Sequence, residues 1–146
     1  MREILFKAKR KDNGKWVEGY YCKTTIGNDV RPSDLIFVPF KVSRNEEWGW
    51  MKVDFDTICQ YTGLTDKNGK KIWENDIISI NAYSYDEPED DYFGVVKYCE
   101  KDACWVLKNN ERFDEIICEC FGSYTTQMIN HGNIFDNPEL LEVEEC

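Results

Sequence analysis

The chain has 146 residues and a formal net charge of −10, with 14% aromatic and 32% charged residues. That length supports one compact core or two small units sharing an interface, and the aromatic content excludes the composition of a disordered chain. The negative charge argues against indiscriminate binding to a phosphate backbone, because counterion release needs a basic surface.

The charge is unevenly spread. Residues 1–53 carry 11 Lys and Arg against 7 Asp and Glu, a balance of +4, whereas residues 54–146 carry 7 against 21, a balance of −14. The opening MREILFKAKRK alternates apolar and charged residues. Nowhere is there the apolar run of about 18 residues that a membrane helix requires, so neither a signal peptide nor a membrane anchor is expected. Cys22, Cys59, Cys99, Cys104, Cys118, Cys120 and Cys146 are odd in number and scattered. They make a poor disulfide framework, and a reducing cytoplasm is the expected compartment.

The dominant period is two. Ile4, Phe6 and Ala8 alternate with Lys7 and Lys9; Asp12-Asn13-Gly14 then offers a tight turn, and Trp16 to Cys22 supplies the partner strand. This pattern predicts a first hairpin. Gly27 to Asp34 reads as a loop, and Leu35 to Val38, stopped by Pro39, as a short edge strand. In an extended segment 48–55, Trp48 and Trp50 project from the same side. Their size points to core or sheet packing, the alternative being an exposed stacking platform.

Thr57 to Tyr61 reads as a further strand leading into QYTGLTDKNGKKIWENDIISI. Here Gly63 and Asn68-Gly69 supply residues that tolerate positive φ, and Asp66 is placed to cap the turn through its carboxylate. Asn75, in WENDII, is expected to hold a left-handed turn. Ile78, Ile80 and Ala82 alternate along a next strand, and GVVKYC and CWVLK form a hairpin joined by Glu100 to Ala103. Residues 110–121 read as strand or short helix. Asn137-Pro138-Glu139-Leu140-Leu141 reads as a helical turn with an Asn cap. Many short strands separated by turns predict a mostly-β fold, a small barrel or a sandwich.

Chemistry-bearing motifs are few. Cys99, Cys104, Cys118 and Cys120 give C-x4-C and C-x-C, the latter too short for a usual zinc chelate, so these are read as small buried hydrophobes. DEPEDD lacks the Gly and terminal Glu of a calcium loop and reads as solvated charge. The single histidine, His131, has no nucleophile motif near it and is read as structural. Phosphate-cradling and dinucleotide fingerprints are missing from the sequence. The expectation is therefore no metal, no cofactor, no catalytic group and no enzyme, the enzymatic alternative being a site assembled from non-adjacent residues.

Two surfaces point outward. Acidic residues, Glu87, Asp90 and Asp91 among them, would face a basic protein partner, or else simply keep the chain soluble. The basic hairpin with Lys7, Lys9, Arg10, Lys11, Lys15 and Trp16 would contact nucleic acid by phosphate contacts and stacking, or else protect a strand edge from aggregation. Self-association through a strand edge or the tryptophan pair is a further expectation.

The segment from Gln60 to Ile80, with its Tyr-Thr-Gly-Leu, Asp-Lys-Asn-Gly and Ile-aromatic-Glu-x-Asp-Ile steps, resembles the hallmark of the YopX family of small phage and prophage proteins. Asn75 stands where the family pattern has Gly. ILFKAKRKDNGKWVEGYY is similar to the family's amino-terminal hairpin, and GNIFDNPELLE to its ending. The resemblance implies an amino-terminal β-hairpin unit (residues 1–56) packed on a small SH3-like β-barrel (residues 57–146), or one compact domain, with a short helical turn near the C-terminus. It also implies an accessory protein of the bacterial host cytoplasm that binds an unknown host or phage macromolecule.

Overall fold

The computed structural model describes residues 3–39, 48–82, 90–108 and 128–141. The chain divides into two compact units, Met1–Tyr61 and Thr62–Cys146. Both are built from antiparallel strands, so the fold is mostly β. Among the described residues no helix is long and apolar enough to cross a membrane.

In the first unit, the period-two pattern becomes β1 (Phe6–Lys9), β2 (Trp16–Thr24), β3 (Ser33–Val38), β4 (Gly49–Lys52), a 3-10 helix over Phe55–Thr57, and β5 (Cys59–Thr65). Their order is β4-β3-β2-β1-β5. The first hairpin forms as expected: Phe6 pairs with Gly19 and Lys9 with Trp16. Gly14 takes φ 69° in its turn. β3 is not an edge strand, because β2 and β4 pair on its two sides, Phe37 standing opposite both Tyr20 and Trp50. Pro39 lies beyond Val38, the last paired residue, so its missing N–H removes no ladder bond.

The register sorts side chains onto two faces. Ala8, Ile36, Val38, Met51 and Val53 form the core, with Phe6, Val17, Tyr21 and Ile58 packed against it. Gly19 belongs to this inward set, and a Cβ there would stand 2.0 Å from the Phe37 carbonyl oxygen. The Tyr21 hydroxyl donates to Asp34 at 2.7 Å. That hydrogen bond, with burial and the Asp34 charge adding to it, pushes the Tyr21 phenol up to about 12.

In the second unit, the last residues of β5 pair with β6 (Lys71–Trp73), and β7 (Asp76–Ala82), β8 (Asp90–Cys99), β9 (Cys104–Lys108) and β10 (Met128–Asn133) form a sheet of order β10-β7-β8-β9. A 3-10 helix, Pro138–Leu141, follows. Ile72, Ile78, Ile80, Val96, Leu107 and Met128 make the core, with Leu64 and Trp105 against it. The hairpin around Glu100 to Ala103 is as expected, Cys99 pairing with Cys104. The small barrel expected over residues 57–146 is not what the ladders make: among the described residues both sheets are open. Residues 110–121, read as strand or helix, lie outside the described residues.

The signature segment folds around buried carboxylates. Asp66 Oδ1 accepts from the N–H groups of Asn68 and Lys70, both at 2.9 Å, and Oδ2 accepts from the N–H of Asn130 at 3.1 Å. Burial alone would raise the Asp66 pKa, but the N–H groups of Asn130, Lys70 and Asn68 and the Lys70 charge together hold it below the ordinary value. Asn130 also donates through Nδ2 to Asp76 at 2.7 Å and to the Lys71 carbonyl at 3.1 Å, and Asp76 accepts the Trp73 N–H at 2.8 Å. β10 is thereby tied to the β5–β6 turn and to the start of β7. Gly69 takes φ 79° in the turn and Asn75 φ 69°, as expected of a left-handed asparagine. Gly63 takes the positive φ expected of it, 87°, but inside β5 rather than in a turn.

Two outcomes follow from these bonds. Tyr21→Phe should lower stability by about 1 kcal/mol at neutral pH. The Tyr21 pKa is raised from 10 to about 12, so its contribution is complete below pH 10 and is lost as pH rises through about 12. Unfolding of the two proteins in denaturant should therefore converge over that window, and a constant gap would contradict the bond. Asp66→Ala leaves three backbone N–H groups without their acceptor and should cost about 2–3 kcal/mol, with Asp66→Asn costing less because one oxygen remains.

Candidate functional site

The outward face of the first sheet is set by the same register. Tyr20 lies opposite Phe37, and Phe37 opposite Trp50, so three aromatic side chains stand in a row across β2, β3 and β4. The Phe37 and Trp50 rings are 4.9 Å apart between centroids and tilted by 58°. Tyr20 is 57% exposed, Trp50 52% and Trp48 60%. Trp48 and Trp50 thus lie outside the core, as the exposed alternative has it, while Trp50 still packs on Phe37 across the sheet. Met51 and Val53 hold the inward positions of that segment, and strand alternation leaves position 50 on the opposite face. Leu35 and Cys59 share the outward parity yet are fully buried, so the exposed ground is the part around Tyr20 and Trp50.

The cations gather around this face in two groups. Lys7 and Lys9 flank Trp16, their Nζ atoms 4.6 and 5.3 Å from its ring centroid, and Lys7 stands opposite Glu18. This is cation–π geometry. Arg10, Lys11 and Asp12 form the second group, lining with Trp48, Trp50, Met51 and Lys52 an open groove of about 740 Å³. Arg10 donates to both Asp12 oxygens, from Nε at 2.8 Å and from the guanidinium end at 2.5 Å. The Arg10 hydrogen bond, with its charge, holds the Asp12 carboxyl below its usual value despite a small opposing effect of burial. Lys52 reaches Asp29 at 2.9 Å. Lys15 is exposed at the far end of the hairpin turn, where its N–H donates to Asn13 and its carbonyl accepts from the Arg10 N–H.

The groove exists because the end of β1 is bonded to the residues after β4. An isolated bridge joins Arg10 and Val53. The Lys11 N–H donates to the Lys52 carbonyl at 3.0 Å, and the Asp54 N–H to the Lys9 carbonyl at 2.9 Å. Thr57 completes the join: its buried hydroxyl accepts the Lys9 N–H at 2.9 Å and donates to the Asp54 carbonyl at 2.7 Å. These bonds hold the Arg10–Asp12 corner beside Trp48 and Trp50.

Of the residues singled out from sequence, Lys7, Lys9 and Trp16 form one cluster and Arg10 and Lys11 line the groove. Tyr20, Phe37 and Lys52 were missed, and for Trp48 and Trp50 an exposed platform stood only as the alternative to packing. Counting parity outward from the apolar pair Met51 and Val53 would have found Trp50 and Lys52. For the acidic surface, Asp90 and Asp91 open β8, paired with Ala82 and Asn81, and Glu87 lies outside the described residues. His131 Nε2 lies 2.7 Å from the Ser79 hydroxyl on an exposed part of the second sheet, beside the Phe93 ring. Among the described residues no group of three or more His, Cys, Asp or Glu is placed to hold a metal ion; Cys118 and Cys120 lie outside them.

Thr57→Val keeps the shape but removes the hydroxyl, leaving the Lys9 N–H without its acceptor. It should lower stability by about 1–3 kcal/mol and raise hydrogen exchange at the Lys9 amide, with Thr57→Ser restoring both. Unchanged Lys9 protection would contradict this account of how the groove is held.

A family model described as YopX protein matches residues 5–142. No curated protein matches the chain. The chain is similar to the crystal structure of protein EF1440 from Enterococcus faecalis, with a TM-score of 0.58 and 24% identity over 97% of this chain and 100% of that one. That likeness concerns the fold.

Proposed function

The chain belongs to the YopX family, and we propose that it is a non-enzymatic phage or prophage accessory protein that binds nucleic acid in the bacterial cytoplasm through the outward face of its first unit. One observation carries this reading: an exposed aromatic row stands beside lysines on the same sheet face. Aromatic side chains give base-stacking surface, and lysines meet phosphates, which together make the usual chemistry of nucleic-acid recognition on a sheet.

Charge supports the location. Residues 1–61 carry 11 Lys and Arg against 9 Asp and Glu, a balance of +2, and residues 62–146 carry 7 against 19, a balance of −12. A polyanion is drawn to the first unit and repelled by the second, so binding is confined to one face and is modest in strength.

Fluorescence anisotropy with labelled nucleic acid, both single-stranded and duplex, at low salt tests the proposal. Binding should weaken as salt rises, and Lys11→Ala and Lys15→Ala should each flatten the salt dependence by about 0.7–0.9 in the log–log slope for every phosphate that the variant no longer neutralises. Failure of every nucleic acid to bind at about 50 mM salt would reject it.

A further inference from the structure

We infer that the groove beside β4 takes an unpaired stretch of a single strand, its bases stacking on Trp48 and Trp50 and its phosphates meeting Lys11. The inference rests on the nucleic-acid reading above and names the form of nucleic acid the site selects.

Three observations lead to single strands. The indoles at the groove are more than half exposed, and such faces are useful only to bases whose own faces are open; in a duplex those faces are already stacked on their neighbours. The groove is also poor in uncommitted charge. Arg10 is held in a fork by Asp12, and Lys52 is bonded to Asp29, which leaves Lys11 as the groove cation that makes no ion pair among the described residues. A duplex binder that reads the backbone needs a track of cations matching two phosphate strands. A stacking site needs only enough charge to guide one.

The third observation is the placement of Asp12. A carboxylate in the groove repels a phosphate, yet it accepts hydrogen bonds from N–H groups on unpaired base edges, the ring N–H of thymine included. The Arg10–Asp12 corner therefore suits the base side of a strand, and the exposed Lys11 its backbone side. Phe37, packed against Trp50 at 4.9 Å, sets that ring's orientation, and the row continues through Tyr20. Further unpaired bases can be accommodated along it.

The full chain, titrated with a labelled single-stranded oligothymidylate and with a duplex of the same length, provides the test. The single strand should bind about tenfold or more tightly than the duplex and should quench tryptophan fluorescence. Combining Trp48→Ala with Trp50→Ala should weaken single-strand binding by about tenfold or more, while Trp50→Phe, which keeps an aromatic face, should retain most of the affinity. Circular dichroism reports whether the variants keep the fold; Trp48→Ala alone, at the more exposed ring, serves if the double variant does not. Duplex binding as tight as single-strand binding, or wild-type affinity in folded tryptophan variants, would overturn the inference and leave nucleic-acid binding itself standing. Absence of binding to either probe would remove both.

Discussion

The pairing that sets Phe37 opposite Tyr20 on one side and Trp50 on the other decides what the first unit shows to solvent. Side chains alternate along a strand, so a shift of one residue in β3 would send Ile36 and Val38 outward and turn Phe37, the middle of the aromatic row, inward. Gly19 helps to hold the register. Its lack of a Cβ lets β2 approach the Phe37 carbonyl to a distance no other residue permits, on the face where the core packs. The same strand crossing that closes the core thus places the exposed rings, and core and binding face are two sides of one constraint.

In the second unit the organising interaction is polar. Asp66, Asn130 and Asp76 join the β5–β6 turn, β10 and the start of β7 through five hydrogen bonds to backbone N–H and carbonyl groups and one between side chains. Buried carboxylates require such partners, because an unsatisfied charge in a core is far more costly than the bond is favourable. This accounts for the most recognisable stretch of the sequence without reference to chemistry: Asp66, Gly69, Asn75 and Asp76 are residues that bend backbone and satisfy it. The Gln60 to Ile80 stretch builds the fold, and the proposed binding face lies outside it, on the first hairpin and β4.

The two units also divide the charge. Cations concentrate around the hairpin and β4 of the first, and the second carries most of the carboxylates. Pairing of Arg10 with Asp12 and of Lys52 with Asp29 reduces the positive field of the groove further. A face of this kind relies on aromatic surface for affinity and on charge for orientation, a balance suited to ligands that bring exposed rings.

Local chemistry alone determined the strand character of the chain, the first hairpin with its Gly14 turn, the β8–β9 hairpin, the left-handed Asn75 and the capping role of Asp66. Each depends on residues close in sequence, whose spacing and φ preference suffice. Tertiary structure decided what depends on partners far along the chain. β3 is interior because β4 returns to pair with it, Gly63 takes its positive φ within a strand instead of a turn, and Asp66 finds a third donor in Asn130, 64 residues away. Trp48 and Trp50 are exposed for the same reason: period two places two residues on one side of a strand, but only the pairing of β4 with β3 says which side is the core.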